Sequence, residues 1–152
     1  MLEQLKKIFG AEPTPAGLLQ IREPLDLAIA SLLVELARAD FSESKTEFDA
    51  IRQVLSRRFG FGSDALDDLI SRATNRADRA VSLHEFTHRL NTELPHSDKL
   101  AIIEMLWEVS HADGHIDKHE EHLIKRIAGL LHVSDSDRIR LKLRTIVGDE
   151  GG

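Results

Sequence analysis

The segment SLHEFTHRLN, residues 82–91, contains His84, Glu85 and His88 in the pattern H-E-x-x-H. In zinc peptidases this pattern lies on a helix, where the two histidines bind the ion and the glutamate acts as the general base. Here Glu85 also stands three residues after Ser82, which is the spacing of a capping box at the start of a helix. Helical periodicity turns both histidines away from the apolar stripe of the same segment. We therefore expect exposed histidines on an ordinary helix, and a zinc hydrolase is only a remote alternative.

Acidic residues occupy equivalent places in two turns, ADFSESKTE at 39–47 and ADGHIDKHE at 112–120. Each turn has an aspartate near the end of one helix and a glutamate in the first turn of the next. The glutamates can complete capping boxes, but an aspartate near a helix C-terminus opposes the helix dipole unless another group satisfies it. Carboxylate oxygens suit a hard cation, so Ca²⁺ or Mg²⁺ is favoured over Zn²⁺, while a purely structural role stays open. The candidate metal ligands are Asp40, Glu47, Asp113, Asp117 and Glu120.

Histidines also crowd the second turn and the helix after it. They are His111, His115, His119 and His122. His119 and His122 are three residues apart on the expected helix, so a borderline metal such as Zn²⁺ or Ni²⁺ could bind there. Solvent-exposed histidines on a polar helix face are the simpler interpretation.

An internal repeat positions both acidic turns. With a shift of 73 residues, ten of the 25 residues from 27 to 51 are identical to their counterparts from 100 to 124. Apolar residues recur at helical spacing along the chain, and no segment alternates with period two for long. One helix-turn-helix unit cannot bury both faces of its helices, so the two units should pack on each other. We predict an all-α bundle of about seven to eight helices, with two helix-turn-helix units related by a pseudo-twofold axis.

The whole chain, residues 1–152, is assigned to a single helical domain. Its parts are an N-terminal helix and loop at 1–23, the first repeat at 25–62, connecting helices at 63–94, and the second repeat with a C-terminal helix at 98–147. Trp107 takes the place of Val34 in the other repeat, and we expect it in the core. The last residues, GDEGG, should fray.

The composition excludes several classes of function. A net charge of −6, with basic residues scattered rather than clustered, argues against nucleic acid as a partner. The chain has no cysteine, which excludes disulfides, thiolate nucleophiles and cysteine zinc sites and fits a reducing compartment. The first ten residues, MLEQLKKIFG, do not resemble a secretory signal, and no apolar run could span a bilayer. We predict a cytoplasmic protein, with peripheral membrane association through an N-terminal apolar stripe as a minor alternative.

Three segments resemble a known family: LLVELARADFSESKTEFDAI, VSLHEFTHRLN and LWEVSHADGHIDKHEEHLIKRIAGLLHVSDSD. They look like the tellurite-resistance protein TerB superfamily, and more narrowly its small stand-alone bacterial branch, over about residues 25–145. The resemblance implies an all-helical fold with two similar halves. It also implies a bacterial stress-response role associated with tellurite resistance and with phage or colicin tolerance, metal binding through acidic residues, and no enzymatic activity.

The family's acidic positions correspond here to Asp40, Glu47, Asp113 and Glu120. The first turn departs from the family pattern at Phe41, where the second turn has Gly114, a residue that accepts the left-handed backbone conformation. The sequence thus predicts a non-enzymatic, cytoplasmic helical module that binds a divalent cation, an unidentified protein partner, or both. A pure protein-interaction domain without metal is the main alternative.

Overall fold

The computed structural model describes residues 25–39, 45–78, 83–112 and 114–151. These ranges contain seven α-helices and no strand, which confirms the predicted all-α class. None of the helices in these ranges combines the length and the apolar character that a membrane crossing requires. In chain order the helices are α1 (Leu25–Ala39), α2 (Lys45–Phe59), α3 (Ser63–Asp78), α4 (Leu83–Glu93), α5 (His96–Ser110), α6 (Lys118–Leu130) and α7 (Asp135–Gly151).

Helices α1 and α5 form the centre of the bundle. Eleven of the fifteen residues of α1 and nine of the fifteen residues of α5 are buried, which is typical of helices covered on several sides. Helix α1 packs against α2, α3, α4, α5 and α6, and α5 packs against α1, α2, α6 and α7. Since α1 and α5 are the first helices of the two repeats, the repeats pack on each other as their sequence suggests.

The ends of the helices follow local backbone signals. Helix α2 ends at Phe59, and Gly60 follows with a φ of 74°, a left-handed conformation that glycine adopts without a side-chain clash. The sequence predicts a helix over DKLAIIEMLWEVSHAD, residues 98–113, but α5 ends at Ser110, and the backbone leaves helical geometry at His111. At the other end of the chain, α7 continues to Gly151, so the last helix is longer than predicted.

Helix α4 separates apolar from polar side chains as its periodicity predicts. Leu83, Phe86 and Leu90 are buried, whereas His84 and His88 are exposed. The buried side of α4 packs against α1 and α6. The histidines of the H-E-x-x-H pattern therefore face the solvent, as expected.

Trp107 lies in the core, as predicted, and connects α5 to α7. Its side chain is only 1% exposed, and its indole N–H donates a hydrogen bond to the backbone oxygen of Arg138 at 3.1 Å. The ammonium group of Lys142, also on α7, lies 5.6 Å from the centre of the indole ring. Burial of the ring and satisfaction of its one donor both favour this position.

Candidate metal centre

The second acidic turn leads into α6 through a well-defined N-cap. Asp117 has extended backbone angles (φ −69°, ψ 146°), and its carboxylate accepts a hydrogen bond from the backbone N–H of His119 at 2.8 Å. The carboxyl group of Glu120 in turn accepts a hydrogen bond from the backbone N–H of Asp117. Glu120 thus makes the return bond of the predicted capping box, whereas Asp117 caps the N–H of His119 and not that of Glu120. The return bond holds the Glu120 side chain against the start of its own helix.

Glu47 and Glu120 meet where the two repeats come together. Each lies in the first turn of the second helix of its repeat, on α2 and on α6, and each side chain is only 1% exposed. A hydrogen bond joins the two carboxyl groups. Because an ionised carboxylate can only accept, this bond requires a proton on one of the two groups. Glu47 and Glu120 are called the carboxyl pair below.

The carboxyl pair retains its proton well above the usual pH range of glutamate. The pKa of Glu120 is raised from an ordinary value of 4.5 to about 9. Burial is the largest cause, since it penalises the charged form, and the hydrogen bond and the negative charge of Glu47 act in the same direction. The hydrogen bond from the backbone of Asp117 opposes them. At neutral pH the pair therefore shares one proton and carries one negative charge.

The structure brings three of the five predicted ligands into one region. Glu47 and Glu120 form the carboxyl pair, and the charge of Asp117 also acts on Glu120. Asp40 and Asp113 lie outside the described residues. Within the described ranges, no group of three or more histidine, aspartate or glutamate side chains is arranged to hold a metal ion. The full ligand set therefore stays a prediction, and the described residues contribute a buried pair of carboxyl groups.

The sequence places Glu47 and Glu120 in equivalent turns but does not predict that they touch. The repeat shift of 73 residues superimposes one glutamate on the other. When two copies of a unit pack about a twofold axis, equivalent side chains that point toward the axis contact each other. The equivalence of the two positions was therefore the signal that could have revealed the contact.

The H-E-x-x-H pattern does not acquire a third ligand from the next helix. Glu108, twenty residues after His88, is the acid of α5 that could have supplied one. Its carboxylate instead forms ion pairs with Arg57 and Arg58 of α2. Arg58 also pairs with Glu104, one turn earlier on α5, at 2.6 Å. These acids therefore link α2 to α5 and leave the two histidines of α4 as a separate feature.

Comparison with known proteins agrees with this architecture. A family model described as Tellurite resistance protein TerB matches residues 26–143, which run from the start of α1 into α7 and include both acidic turns. Neither the curated proteins nor the solved structures contain a match to the chain. The domain that defines the matched family is not generally known as an enzyme domain. Because the match extends over most of the sequence, the chain belongs to the TerB family of tellurite resistance proteins.

Proposed function

We propose that the chain is a non-enzymatic, cytoplasmic stress-response module that binds a divalent cation at the carboxyl pair. Ca²⁺ and Mg²⁺ are favoured over Zn²⁺, because the pair offers only oxygen atoms. Glu47 and Glu120 would bind the ion directly, and Asp117 together with Asp40 and Asp113 would complete the acidic environment. The observation that carries the proposal is the contact between two buried carboxyl groups from equivalent turns of the two repeats.

A divalent cation can take the place of the shared proton. Two buried carboxylates that are both ionised repel each other and lose hydration, so the pair keeps a proton when no cation is present. A cation between them would compensate both charges, and its remaining coordination positions, from a total of roughly six to eight oxygens for Ca²⁺, would go to other acids, backbone carbonyls or water. Since one glutamate belongs to each repeat, binding would change the interaction that joins the two repeats. Through this coupling, ion binding would change the surface that the module offers to a partner.

A second candidate function is protein binding without any metal. Three large apolar side chains form one row on α7 and remain exposed: Ile139 at 45%, Leu143 at 54% and Val147 at 61%. Their spacing of four residues places them on one side of the helix. A contiguous apolar row on a soluble domain is typical of a partner surface. If no cation binds the carboxyl pair, this surface gives the better account of the protein's role.

The proposal is tested by titrating Ca²⁺ into the chelator-stripped protein and recording backbone amide shifts by NMR. We expect shifts that depend on Ca²⁺ and are centred on the starts of α2 and α6, around Glu47 and Glu120. Mg²⁺ should shift the same amide signals by a smaller amount, because it demands a stricter octahedral geometry and gives up its water reluctantly. Glu121→Gln is the matched control, since Glu121 lies next to Glu120 but is solvent-exposed and paired with Lys142.

Three outcomes are informative. Shifts at both helix starts, retained in Glu121→Gln, support a cation site that joins the repeats. The absence of any shift with Ca²⁺ or Mg²⁺ at millimolar concentration contradicts the cation proposal and favours the interaction module. Shifts centred elsewhere, for example on the histidines of α4, would place ion binding at a different site and also contradict it.

A further inference from the structure

The two histidines of α4 form a close pair on the solvent side of the helix. His84 and His88 are one helical turn apart, both are exposed, and their rings are stacked with centroids 5.9 Å apart and an angle of 29° between the ring planes. Neither ring is needed for packing, because the opposite side of α4 supplies the buried residues. Both imidazoles are therefore available to a ligand from solution.

The helix that carries these rings is held firmly in place. Its apolar side packs against α1 and α6, and the side chain of Asn91 donates a hydrogen bond to the backbone oxygen of Leu130 at 2.7 Å. The hydroxyl of Thr92 bonds the backbone oxygen of His88 at 2.9 Å, within the same helix. The backbone positions of the two histidines are thus fixed by the fold. A ligand that engages both rings needs only side-chain rotation, which keeps the ordering cost low.

The spacing of the rings suits one metal ion shared between two imidazoles. When two imidazole nitrogens each lie about 2.0–2.1 Å from the same ion, the ring centroids are about 5 Å apart. The observed 5.9 Å is close enough for a modest rotation of two exposed side chains to close the gap. Imidazole nitrogen prefers Zn²⁺, Ni²⁺ and Cu²⁺ over hard ions such as Ca²⁺ and Mg²⁺. We propose that His84 and His88 form a bidentate site on the solvent side of α4 for a borderline divalent transition-metal ion.

This site differs from the zinc centre that its sequence pattern suggests. Catalytic zinc centres use three protein ligands and keep one position open. In the described ranges no third histidine, aspartate or glutamate joins the two histidines. Glu85 follows His84 directly, and adjacent helical residues do not share a side of the helix. The ion would therefore keep several water ligands and exchange readily, so the inferred site binds an ion and does not build a hydrolytic centre. It is independent of the cation proposed at the carboxyl pair.

Isothermal titration with Zn²⁺, on the 152-residue chain without a histidine tag and after chelator treatment, tests the proposal. Removing one imidazole turns a two-point attachment into a single one, so His84→Ala and His88→Ala should each weaken Zn²⁺ binding at least about ten-fold. His96→Ala is the matched control, because it removes another exposed histidine at the start of a helix, outside the pair His119 and His122, and should leave the affinity unchanged. Glu85→Gln should also leave the Zn²⁺ affinity unchanged, because Glu85 does not share a side of the helix with the two histidines.

The result that would overturn the proposal is equally specific. The proposal is contradicted if the Zn²⁺ affinity is unchanged in both His84→Ala and His88→Ala, with folding verified by circular dichroism. Loss of Zn²⁺ binding only in His119→Ala would move it to the second acidic turn, and loss only in Glu120→Gln would move it to the carboxyl pair. Ca²⁺ in excess should not compete for the histidine pair, so competition by Ca²⁺ also contradicts the assignment.

Discussion

In the absence of divalent cations, the free energy of unfolding should fall as the pH rises from about 5 to about 9, and Glu120→Gln should reduce that fall. The folded protein keeps a proton on the carboxyl pair because the pKa of Glu120 is raised to about 9, whereas the unfolded chain releases it near the ordinary value of 4.5. The folded state therefore binds more protons than the unfolded state between these two values. This contribution to stability is fully present below about pH 4.5 and is lost as the pH approaches 9, at a rate of up to about 1.4 kcal/mol per pH unit.

Urea unfolding followed by circular dichroism, in chelator and at several pH values across this window, measures the effect. In Glu120→Gln a neutral amide replaces the protonated acid and can still donate a hydrogen bond to Glu47. The variant should therefore lose less stability toward high pH, and near pH 9 it should be more stable than the natural protein. The free energy of unfolding of Glu121→Gln should depend on pH in the same way as that of the natural protein. If the free energy of unfolding fell with pH equally in the natural protein and in Glu120→Gln, that result would contradict the proposal that the pair shares a proton.

The comparison between variants is the decisive part of this experiment. Burial also raises the pKa values of Asp26, Glu35 and Asp98, and these groups lower stability with rising pH in the same sense. Their contribution is common to the natural protein and both glutamine variants, so it cancels in the difference. The remaining difference reports the carboxyl pair alone.

Calcium affinity should fall by at least about a hundred-fold in Glu47→Gln and in Glu120→Gln. Changes to groups that only support a metal ligand cost roughly 10- to 100-fold in metal affinity, and loss of a direct, charged ligand should cost more. An amide keeps one oxygen but removes the negative charge that attracts the ion. Competition with a coloured calcium chelator measures the affinities, and Glu121→Gln again reports the effect of one lost charge nearby.

The glutamine variants also keep this affinity prediction testable. Because glutamine imitates the protonated acid, both variants should fold, and loss of binding cannot be attributed to unfolding. If either variant binds Ca²⁺ within about three-fold of the natural protein, the carboxyl pair is not the site. If both lose affinity but Glu121→Gln loses as much, general charge and not coordination explains the effect.

The fold could be predicted from the sequence to the extent that it depends on local and repeated patterns. Helical periodicity placed Phe86 and Leu90 inside and His84 and His88 outside. The capping-box spacing of Asp117 and Glu120 located the N-cap of α6 at Asp117. The repeat identified α1 and α5 as equivalent helices, which the structure places at the centre. These features depend on residues close in the chain or on identities between two segments, and both are visible in one sequence.

The remaining features depend on packing between distant segments. The contact between Glu47 and Glu120 requires the starts of α2 and α6 to face each other, and the packing of α1 on α5 decides that orientation. The sequence assigned each glutamate a capping role and could not show its burial. Similarly, the pattern marked Leu143 as apolar, but only the arrangement of neighbouring helices leaves it exposed on α7.

The exchange of a proton for a divalent cation at the carboxyl pair can be measured directly. Ca²⁺ is added to weakly buffered, chelator-free protein near neutral pH, and the protons released are counted with an indicator dye against the amount of ion bound. About one proton should be released for each ion bound, because the ion occupies the place of the proton that Glu47 and Glu120 share. No such release should occur in Glu120→Gln. Calcium binding without proton release, or no binding at all, would contradict the account.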